Sequence, residues 1–296
     1  MAFNWPIFRK RAMTAIVFVA VMLAGLFWNH WSFFILFTII HFGCWWEYLQ
    51  LTEKIQNSRI HLYSKIGFML MGYGIMLWFC GDRYQINNYG LKENISLPLS
   101  LAGFLLLLIG IFQKQAVQLK SFGMAALGLI YISLCWGLMM HLYQHEFDIR
   151  FPDRVVAPAA GFFPMLVIFS IWINDTMAYI VGSLIGKTPL TPISPKKTWE
   201  GTIGGIMLCI VAMSFLFPLL YFEEFNLSVS VMILPVATII AISGTFGDLL
   251  ESKLKRMAGV KDSGRLLPGH GGFLDRFDSL LLATPFVWLY VNLFLG

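Results

Sequence analysis

Long apolar stretches, separated by short polar segments, are the dominant pattern along the chain. A helix that crosses the hydrocarbon core of a bilayer needs about 20 apolar residues. Nine stretches approach this length, and each one predicts a membrane-spanning helix. They cover residues 12–28, 32–50, 62–80, 96–112, 121–143, 160–182, 202–221, 229–250 and 277–295. We therefore expect an all-α polytopic membrane protein with about nine transmembrane helices.

The composition supports this fold class. Hydrophobic residues make up 58% of the 296 residues and charged residues only 12%, whereas soluble domains carry about 25% charged residues. An apolar excess of this size is more than the interior of one soluble domain can hold. The four cysteines lie singly within apolar stretches, which argues against a disulfide or a metal site built from them. The basic residues form no block that favours nucleic acid as a partner.

The distribution of Lys and Arg predicts the orientation in the membrane, because these residues are retained on the cytoplasmic side. With a cytoplasmic N-terminus, 17 of the 21 Lys and Arg residues fall on the cytoplasmic side. The other four are Arg83, Lys92, Arg150 and Arg154. We therefore predict a cytoplasmic N-terminus and a C-terminus outside, and the short loops favour a bacterial cytoplasmic (inner) membrane.

The two halves of the chain differ in their polar content. Residues 1–150 have the pattern of membrane scaffold helices, whereas residues 151–296 carry polar groups at the cytoplasmic helix ends. We predict that the second half carries the catalytic site, within a single integral membrane unit. Glu47 is an exception in the first half. A carboxylate inside an apolar span either faces a partner or a wet cavity, or reaches the nearby interface by snorkelling.

Two polar segments stand out in the middle of the second half. Asn174 and Asp175 lie in an apolar helix, where a buried Asp needs a cation or a hydrogen-bond donor; a polar lock between helices is the alternative. Residues 194–201, Ser-Pro-Lys-Lys-Thr-Trp-Glu-Gly, belong to a proline-rich loop that excludes a continuous helix. Lys196 and Lys197 are suited to binding phosphate oxygens there, or to binding lipid headgroups without specificity.

A third polar segment covers residues 244–278. Asp248 and Lys255 lie on one helical face, and Asp275 and Asp278 lie on one face of the next helix. If the two helix ends bring Asp248 and Asp275 together, the carboxylates repel unless a cation joins them. Mg²⁺ suits such a site, since it takes one or two carboxylates plus substrate phosphates. A salt-bridged turn between the helices is the alternative.

The third segment also carries a family resemblance. The phosphatidate cytidylyltransferase (CDP-diacylglycerol synthase) family has a signature that is similar to Ser252-x2-Lys255-Arg256-x4-Lys261-Asp262-x5-Pro268-x-His270-Gly271-Gly272-x2-Asp275-Arg276-x-Asp278. Asn174-Asp175-Thr176 and residues 194–201 resemble other segments that the family shares. The resemblance implies transfer of a cytidylyl group from CTP to phosphatidic acid at a cytoplasm-facing site. It also implies a homodimer in the lipid bilayer, Mg²⁺, and a second monovalent cation such as K⁺.

With this reaction in mind, the polar residues receive hypothetical roles. The positions that match the metal-binding carboxylates of the family are Asp248 and Asp275. The catalytic residues, which clamp phosphates, support the metal carboxylates or complete the polar cavity, are Lys196, Lys197, Lys255, Arg256, Asp278, Asp175 and Asn174. The residues predicted to contact substrates are Ser194, Thr198, Ser252, Lys261, His270 and Arg276. For His270 a second possibility is that it only orients its glycine-rich turn.

Two other functions remain as alternatives. A secondary transporter would place ionisable residues near the midplane between repeats, whereas here the charges gather at one face. A CTP-dependent polyprenol kinase uses related chemistry, but it differs in the final His-Gly-Gly-x-x-Asp-Arg-x-Asp run. The CDP-alcohol phosphotransferases are excluded, because their pattern begins with Asp-Gly and this chain contains no Asp-Gly pair.

Overall fold

A computed structural model describes residues 5–113, 118–145, 147, 149–150, 155–158, 160–223, 226–264 and 271–295. Within these ranges the chain forms nine long helices, one for each predicted span. They are α1 (Trp5–Phe27), α2 (His30–Gln56), α3 (Leu62–Trp78), α4 (Lys92–Ile111), α5 (Leu119–Gln144), α6 (Phe162–Ile185), α7 (Trp199–Phe222), α8 (Leu227–Met257) and α9 (Leu274–Phe294). The prediction of an all-α polytopic membrane protein is confirmed.

Seven of the helices in the described residues, α2 and α4 to α9, are long and apolar enough to cross a membrane. The remaining two are close to this length. α3 has 17 residues, and the apolar part of α1 covers Met13–Phe27. Many large apolar side chains on the helices are exposed, among them Leu101, Leu220 and Val231. Such side chains suit a protein whose surrounding solvent is lipid.

Three of the helices contain a π-helical turn. These turns are Lys92–Ser96 at the start of α4, Leu129–Leu134 in α5 and Ala212–Leu216 in α7. The turn in α5 places the Ser133 hydroxyl 2.8 Å from Trp45 Nε1 and 3.1 Å from His41 Nε2 of α2. A π-turn leaves the regular hydrogen-bond ladder for one turn, and here it lies at a polar contact between buried side chains of two helices.

Short antiparallel hairpins join some of the helices, which the sequence did not predict. They pair β1 (Gln85–Ile86) with β2 (Tyr89–Gly90), β3 (Ile149–Arg150) with β4 (Val155–Val156), and β5 (Pro189–Thr191) with β6 (Ser194–Thr198). In the third hairpin Pro189 is opposite Thr198, and Thr191 is opposite Ser194. This hairpin contains the basic segment of the sequence, including Lys196 and Lys197.

The chain is divided into two compact units. The first unit contains residues 1–141 and 254–277, and the second contains residues 142–253 and 278–296. Helices α5, α8 and α9 therefore contribute to both. The interior of the first unit contains Phe33, Phe37, Trp45, Phe68 and Trp136. The interior of the second contains Phe163, Val167, Ile233, Ile240 and Val287. The predicted assignment of scaffold and catalytic roles to residues 1–150 and 151–296 stays a prediction.

Candidate active site

The second unit contains a pocket of about 360 Å³ that is lined by both charged and apolar groups. Three elements form it: the C-terminal half of α6, the β5–β6 hairpin with the start of α7, and the middle of α8. Six of the predicted site residues line it, namely Asn174, Asp175, Lys196, Lys197, Thr198 and Asp248. Residues from three separate sequence segments therefore meet at one place.

The hairpin is fastened to the start of α7 by local hydrogen bonds. Thr198 is the N-cap residue, and its hydroxyl accepts a hydrogen bond from the amide of Gly201 at 3.1 Å, as N-cap hydroxyls commonly do. The Glu200 carboxylate accepts hydrogen bonds from the amides of Lys187 and Thr188, each at 3.2 Å. A carboxylate is also favourable in the first turn of a helix. These contacts hold β6, and with it the two lysines, at the pocket.

Helices α6 and α7 approach each other closely beside the pocket. A Cβ atom at Gly205 would lie 2.7 Å from Ala178 Cβ, and one at Gly201 would lie 2.8 Å from Gly182 Cα. On both helices the small residues are four positions apart, which is the spacing of close helix contacts in membranes. The small residues therefore set the distance between two of the elements that line the pocket.

Opposite charges are paired within the pocket. Lys197 Nζ forms an ion pair with Asp248 Oδ2, and both side chains are about 30% exposed (31% and 29%). Lys196 and Asp175 are exposed. The amide group of Asn174 lies 3.5 Å from the Thr245 hydroxyl. Asn174 Oδ1 is buried, and no donor within the described part of the chain reaches it. Buried amide oxygens are normally satisfied, so this atom is available to a bound cation or donor.

These groups fit a hard divalent cation. Asp175, Asp248 and Asn174 Oδ1 offer the oxygen ligands that Mg²⁺ prefers. No cluster of three or more His, Cys, Asp or Glu side chains in the described ranges forms a ready-made metal site. Mg²⁺ does not require one, because substrate phosphates and water supply its remaining ligands.

The first unit holds a second cluster of predicted residues, around Asp275 at the start of α9. Lys255 Nζ lies 2.6 Å from Asp275 Oδ1. Asp275 Oδ2 accepts hydrogen bonds from the amides of Ser263 and Gly272 at 2.9 and 2.8 Å, and lies 2.9 Å from the Ser263 hydroxyl. Gly271 has a φ of 84°, a conformation that favours glycine. Both oxygens of Asp275 are therefore engaged by groups of the same unit.

Glu47 is the residue of this cluster for which the sequence left two interpretations open. It is 2% exposed, and its carboxylate accepts hydrogen bonds from the amides of Phe273 and Leu274 and from the hydroxyl of Ser263. Snorkelling to the interface is therefore wrong, because the carboxylate is enclosed by donors. An acidic residue within an apolar span was the only signal in the sequence that could have identified it.

The other predicted residues have different environments. Asp278 is 5% exposed, and its carboxylate accepts a hydrogen bond from the Ser279 amide at 2.6 Å. Ser194 and Ser252 are partly exposed. The charged side chains of Arg256, Lys261 and Arg276 are exposed. His270 lies outside the described residues. That Asp248 and Asp275 share one cation stays a prediction.

Comparison with known proteins identifies the family to which this chain belongs. The sequence matches the model of the Cytidylyltransferase family over residues 9–294. A phosphatidate cytidylyltransferase from Staphylococcus haemolyticus is 32% identical over 280 residues, which cover 94% of this chain and 96% of the relative. The enzyme of that name from Staphylococcus aureus is 49% identical over 116 residues, 39% of this chain and 43% of the relative. The one from Thermotoga maritima is 37% identical over 180 residues, 60% of this chain and 62% of the relative. The resemblance noted in the sequence is thereby confirmed, and the chain belongs to the cytidylyltransferase family.

Proposed function

We propose that this chain is a phosphatidate cytidylyltransferase, which converts CTP and phosphatidic acid into CDP-diacylglycerol and pyrophosphate. A phosphate oxygen of phosphatidic acid attacks the α-phosphorus of CTP. The bond from that phosphorus to the oxygen that bridges it to the β-phosphate breaks, and pyrophosphate leaves with the electron pair. The observation that carries the proposal is the pocket that brings together two lysines and two carboxylates on helices of membrane-spanning length. Relatives of nearly the same length carry this name, which favours this activity over a transporter or a polyprenol kinase.

The main obstacle to the reaction is charge repulsion, since both substrates are anions. Lys196 and Lys197 lie in the same pocket, and ammonium groups act as point charges toward phosphate oxygens. Asp248 holds Lys197 in place by an ion pair before any phosphate enters. A general base is not needed, because a phosphomonoester with a second pKa of about 6 is already largely ionised at neutral pH. Catalysis then consists mainly of positioning and charge neutralisation.

A divalent cation belongs to this proposal. Asp248, Asp175 and Asn174 Oδ1 would hold it in the pocket. The resemblance implies Asp248 and Asp275 as the metal carboxylates, so Asp275 would be a further ligand. When bound, such a cation neutralises charge on the triphosphate. We propose Mg²⁺, with a monovalent cation such as K⁺ as a second ion. Lys255 already neutralises Asp275 at 2.6 Å, so Asp275 would exchange this partner on binding a metal.

The lipid substrate fits the surroundings of the pocket. Tyr179 lines the pocket and is 78% exposed, and the neighbouring Leu184 and Ile185 on α6 are also exposed. Apolar side chains of this kind suit acyl chains that stay in the bilayer while the headgroup enters the polar pocket. We further propose that the protein works as a homodimer in the bacterial cytoplasmic membrane, with its site facing the cytoplasm.

The direct test measures lipid product. The detergent-purified protein is incubated with labelled CTP and phosphatidic acid, with Mg²⁺ or with a chelator. We expect lipid-extractable label only with Mg²⁺, and a loss of about 100-fold or more in the rate for Asp248→Asn and for Asp275→Asn. Asp82→Asn is the control, since Asp82 is an exposed residue just before β1, and we expect it to retain the rate. Folded wild-type protein that forms no lipid product from several phosphatidic acids would contradict the proposal.

A further inference from the structure

The buried carboxylate of Glu47 holds both described ends of the loop between α8 and α9. Its Oε1 accepts a hydrogen bond from the Phe273 amide at 3.0 Å. Its Oε2 accepts one from the Leu274 amide at 2.9 Å and one from the Ser263 hydroxyl at 2.7 Å. An ionised carboxylate is costly to bury unless its oxygens are satisfied. The two amides belong to the start of α9, where a negative charge is also favourable.

The loop is shaped to the surface of α2 around this carboxylate. A Cβ atom at Gly264 or at Gly272 would collide with the carboxyl carbon of Glu47 at 2.5 Å. One helical turn before Glu47, a Cβ atom at Gly43 would lie 2.6 Å from the ring of Phe273. Residues at i and i+4 share a helix face, so one face of α2 receives both the ring and the backbone of this loop.

A short chain of contacts leads from Glu47 to residues of the proposed site. The Ser263 hydroxyl lies 2.7 Å from Glu47 Oε2 and 2.9 Å from Asp275 Oδ2. It has one hydrogen and can donate to only one of the two carboxylates at a time. The Ser263 amide donates to Asp275 Oδ2 at 2.9 Å, and Lys255 is paired with Asp275 Oδ1. A movement of Ser263 therefore changes two contacts of Asp275.

We propose that Glu47 is a positioning residue for cytidylyl transfer, an inference that rests on the proposed function. Glu47 touches no substrate in this assignment. It fixes Ser263 and the first amides of α9, and through them it fixes the orientation of Asp275 and Lys255. Helix α2, expected to be part of a plain membrane scaffold, thereby takes part in building the site.

The test compares Glu47→Gln with a matched control on the same helix, Glu53→Gln. Glu53 also accepts a backbone hydrogen bond, from the Ile60 amide at 2.8 Å, and pairs with Lys65 at 2.7 Å. Both variants lose one carboxylate, but of the two residues only Glu47 contacts the loop between α8 and α9. In Glu47→Gln, an NH₂ group that can only donate replaces one of the two acceptor oxygens, so it faces donors of the loop without forming their hydrogen bonds. Ser263→Ala is a milder third variant that removes only the hydroxyl link.

The first measurement is hydrogen–deuterium exchange of the full-length protein, without substrates. Glu47→Gln should speed up exchange in peptides that contain residues 263–264 and 272–276, whereas Glu53→Gln should leave these peptides unchanged. The second measurement is the rate of lipid product formation at a temperature where all variants are folded. We expect kcat to fall at least about tenfold in Glu47→Gln, since small displacements of reacting groups have effects of this size or larger. The Mg²⁺ concentration for half-maximal rate should rise.

The possible outcomes separate the alternatives. A merely structural role would lower the melting temperature of Glu47→Gln and leave kcat and the Mg²⁺ dependence of the folded enzyme unchanged, which would overturn the proposal. Equal exchange in Glu47→Gln and wild type would also overturn it. In the double variant, Ser263→Ala should add little to the loss from Glu47→Gln, because both act through one link. A wild type without lipid product would instead contradict the proposed function, while the exchange data would still decide whether Glu47 holds the loop.

Discussion

Among single residues, Lys197 is the one whose charge is most directly fixed in the pocket. Its ammonium group is paired with Asp248, which lies on a different element. The partial exposure of both side chains keeps this pair weak in isolation, so an incoming phosphate can compete for the ammonium group. Lys197 can therefore serve as a preformed phosphate ligand, with Asp248 defining its position.

This role predicts a selective effect of Lys197→Gln. The variant keeps a polar side chain but loses the charge-assisted contact to phosphate, which is worth about 1.5–3 kcal/mol. We expect kcat/KM for CTP to fall about 10- to 100-fold. Lys187→Gln is the control, since Lys187 is exposed and does not line the pocket. Equal rates for the two variants in the lipid-product assay would remove Lys197 from the proposed site.

The sequence could predict residues of the site where they lie in short polar segments. Asn174, Lys197 and Asp248 were predicted this way, because a charge or amide within an apolar chain is itself a signal, and the structure places all three in the lining of the pocket. The contact between Glu47 and Ser263 could not be predicted, since 216 positions separate the two residues. Local periodicity carries no information about which distant loop covers a helix face.

At the scale of elements, the contact between α6 and α7 determines the width of the pocket. Ala178 and Gly182 of α6, which Gly205 and Gly201 of α7 approach closely, themselves line the pocket. Without a hydrophobic driving force between helices in lipid, such close backbone packing is a main source of association. A change in the distance between the helices would therefore alter both stability and the spacing of the polar groups.

Gly205→Ala tests this element contact. Its new methyl group would lie 2.7 Å from Ala178 Cβ, so the helices must separate. We expect a loss of about 1–3 kcal/mol in stability, together with a reduced rate of lipid product formation. Gly123→Ala is the matched control, because a Cβ atom at Gly123 meets nothing within 4 Å and alanine favours the helix. Thermal unfolding in detergent of both variants checks this. A Gly205→Ala protein as stable and active as Gly123→Ala would contradict it.

The elements were predicted from apolar length, and the differences occur at the helix ends. α8 was expected at 229–250 and covers Leu227–Met257. The charged residues near its C-terminus ended the apolar stretch from which the span was predicted, but the helix continues through them. The prolines correctly predicted a break in the helix before Trp199. They did not predict the β5–β6 hairpin. The pairing of two such short strands is fixed by the geometry of the turn between them, which the apolar pattern does not reveal.

At the scale of the whole molecule, the charge asymmetry remains the basis of the proposed orientation. The loop with Lys187, Lys196 and Lys197 is assigned to the cytoplasm, and the β1–β2 hairpin with its nearby Arg83 is assigned to the outside. Helices α4, α5 and α6 lie between these two segments, and all three are long and apolar enough to cross a membrane. An odd number of crossings places the two segments on opposite sides.

Cysteine labelling tests this orientation. The four native cysteines are buried, so a membrane-impermeant maleimide should give little background. Gln85→Cys and Lys187→Cys each place a thiol at an exposed position. In intact bacterial spheroplasts we expect labelling of Gln85→Cys only, and labelling of Lys187→Cys only after lysis. The reverse pattern would invert the orientation and place the proposed phosphate-binding pocket on the side without CTP. Labelling of both variants from outside would show that the number of crossings between them is even.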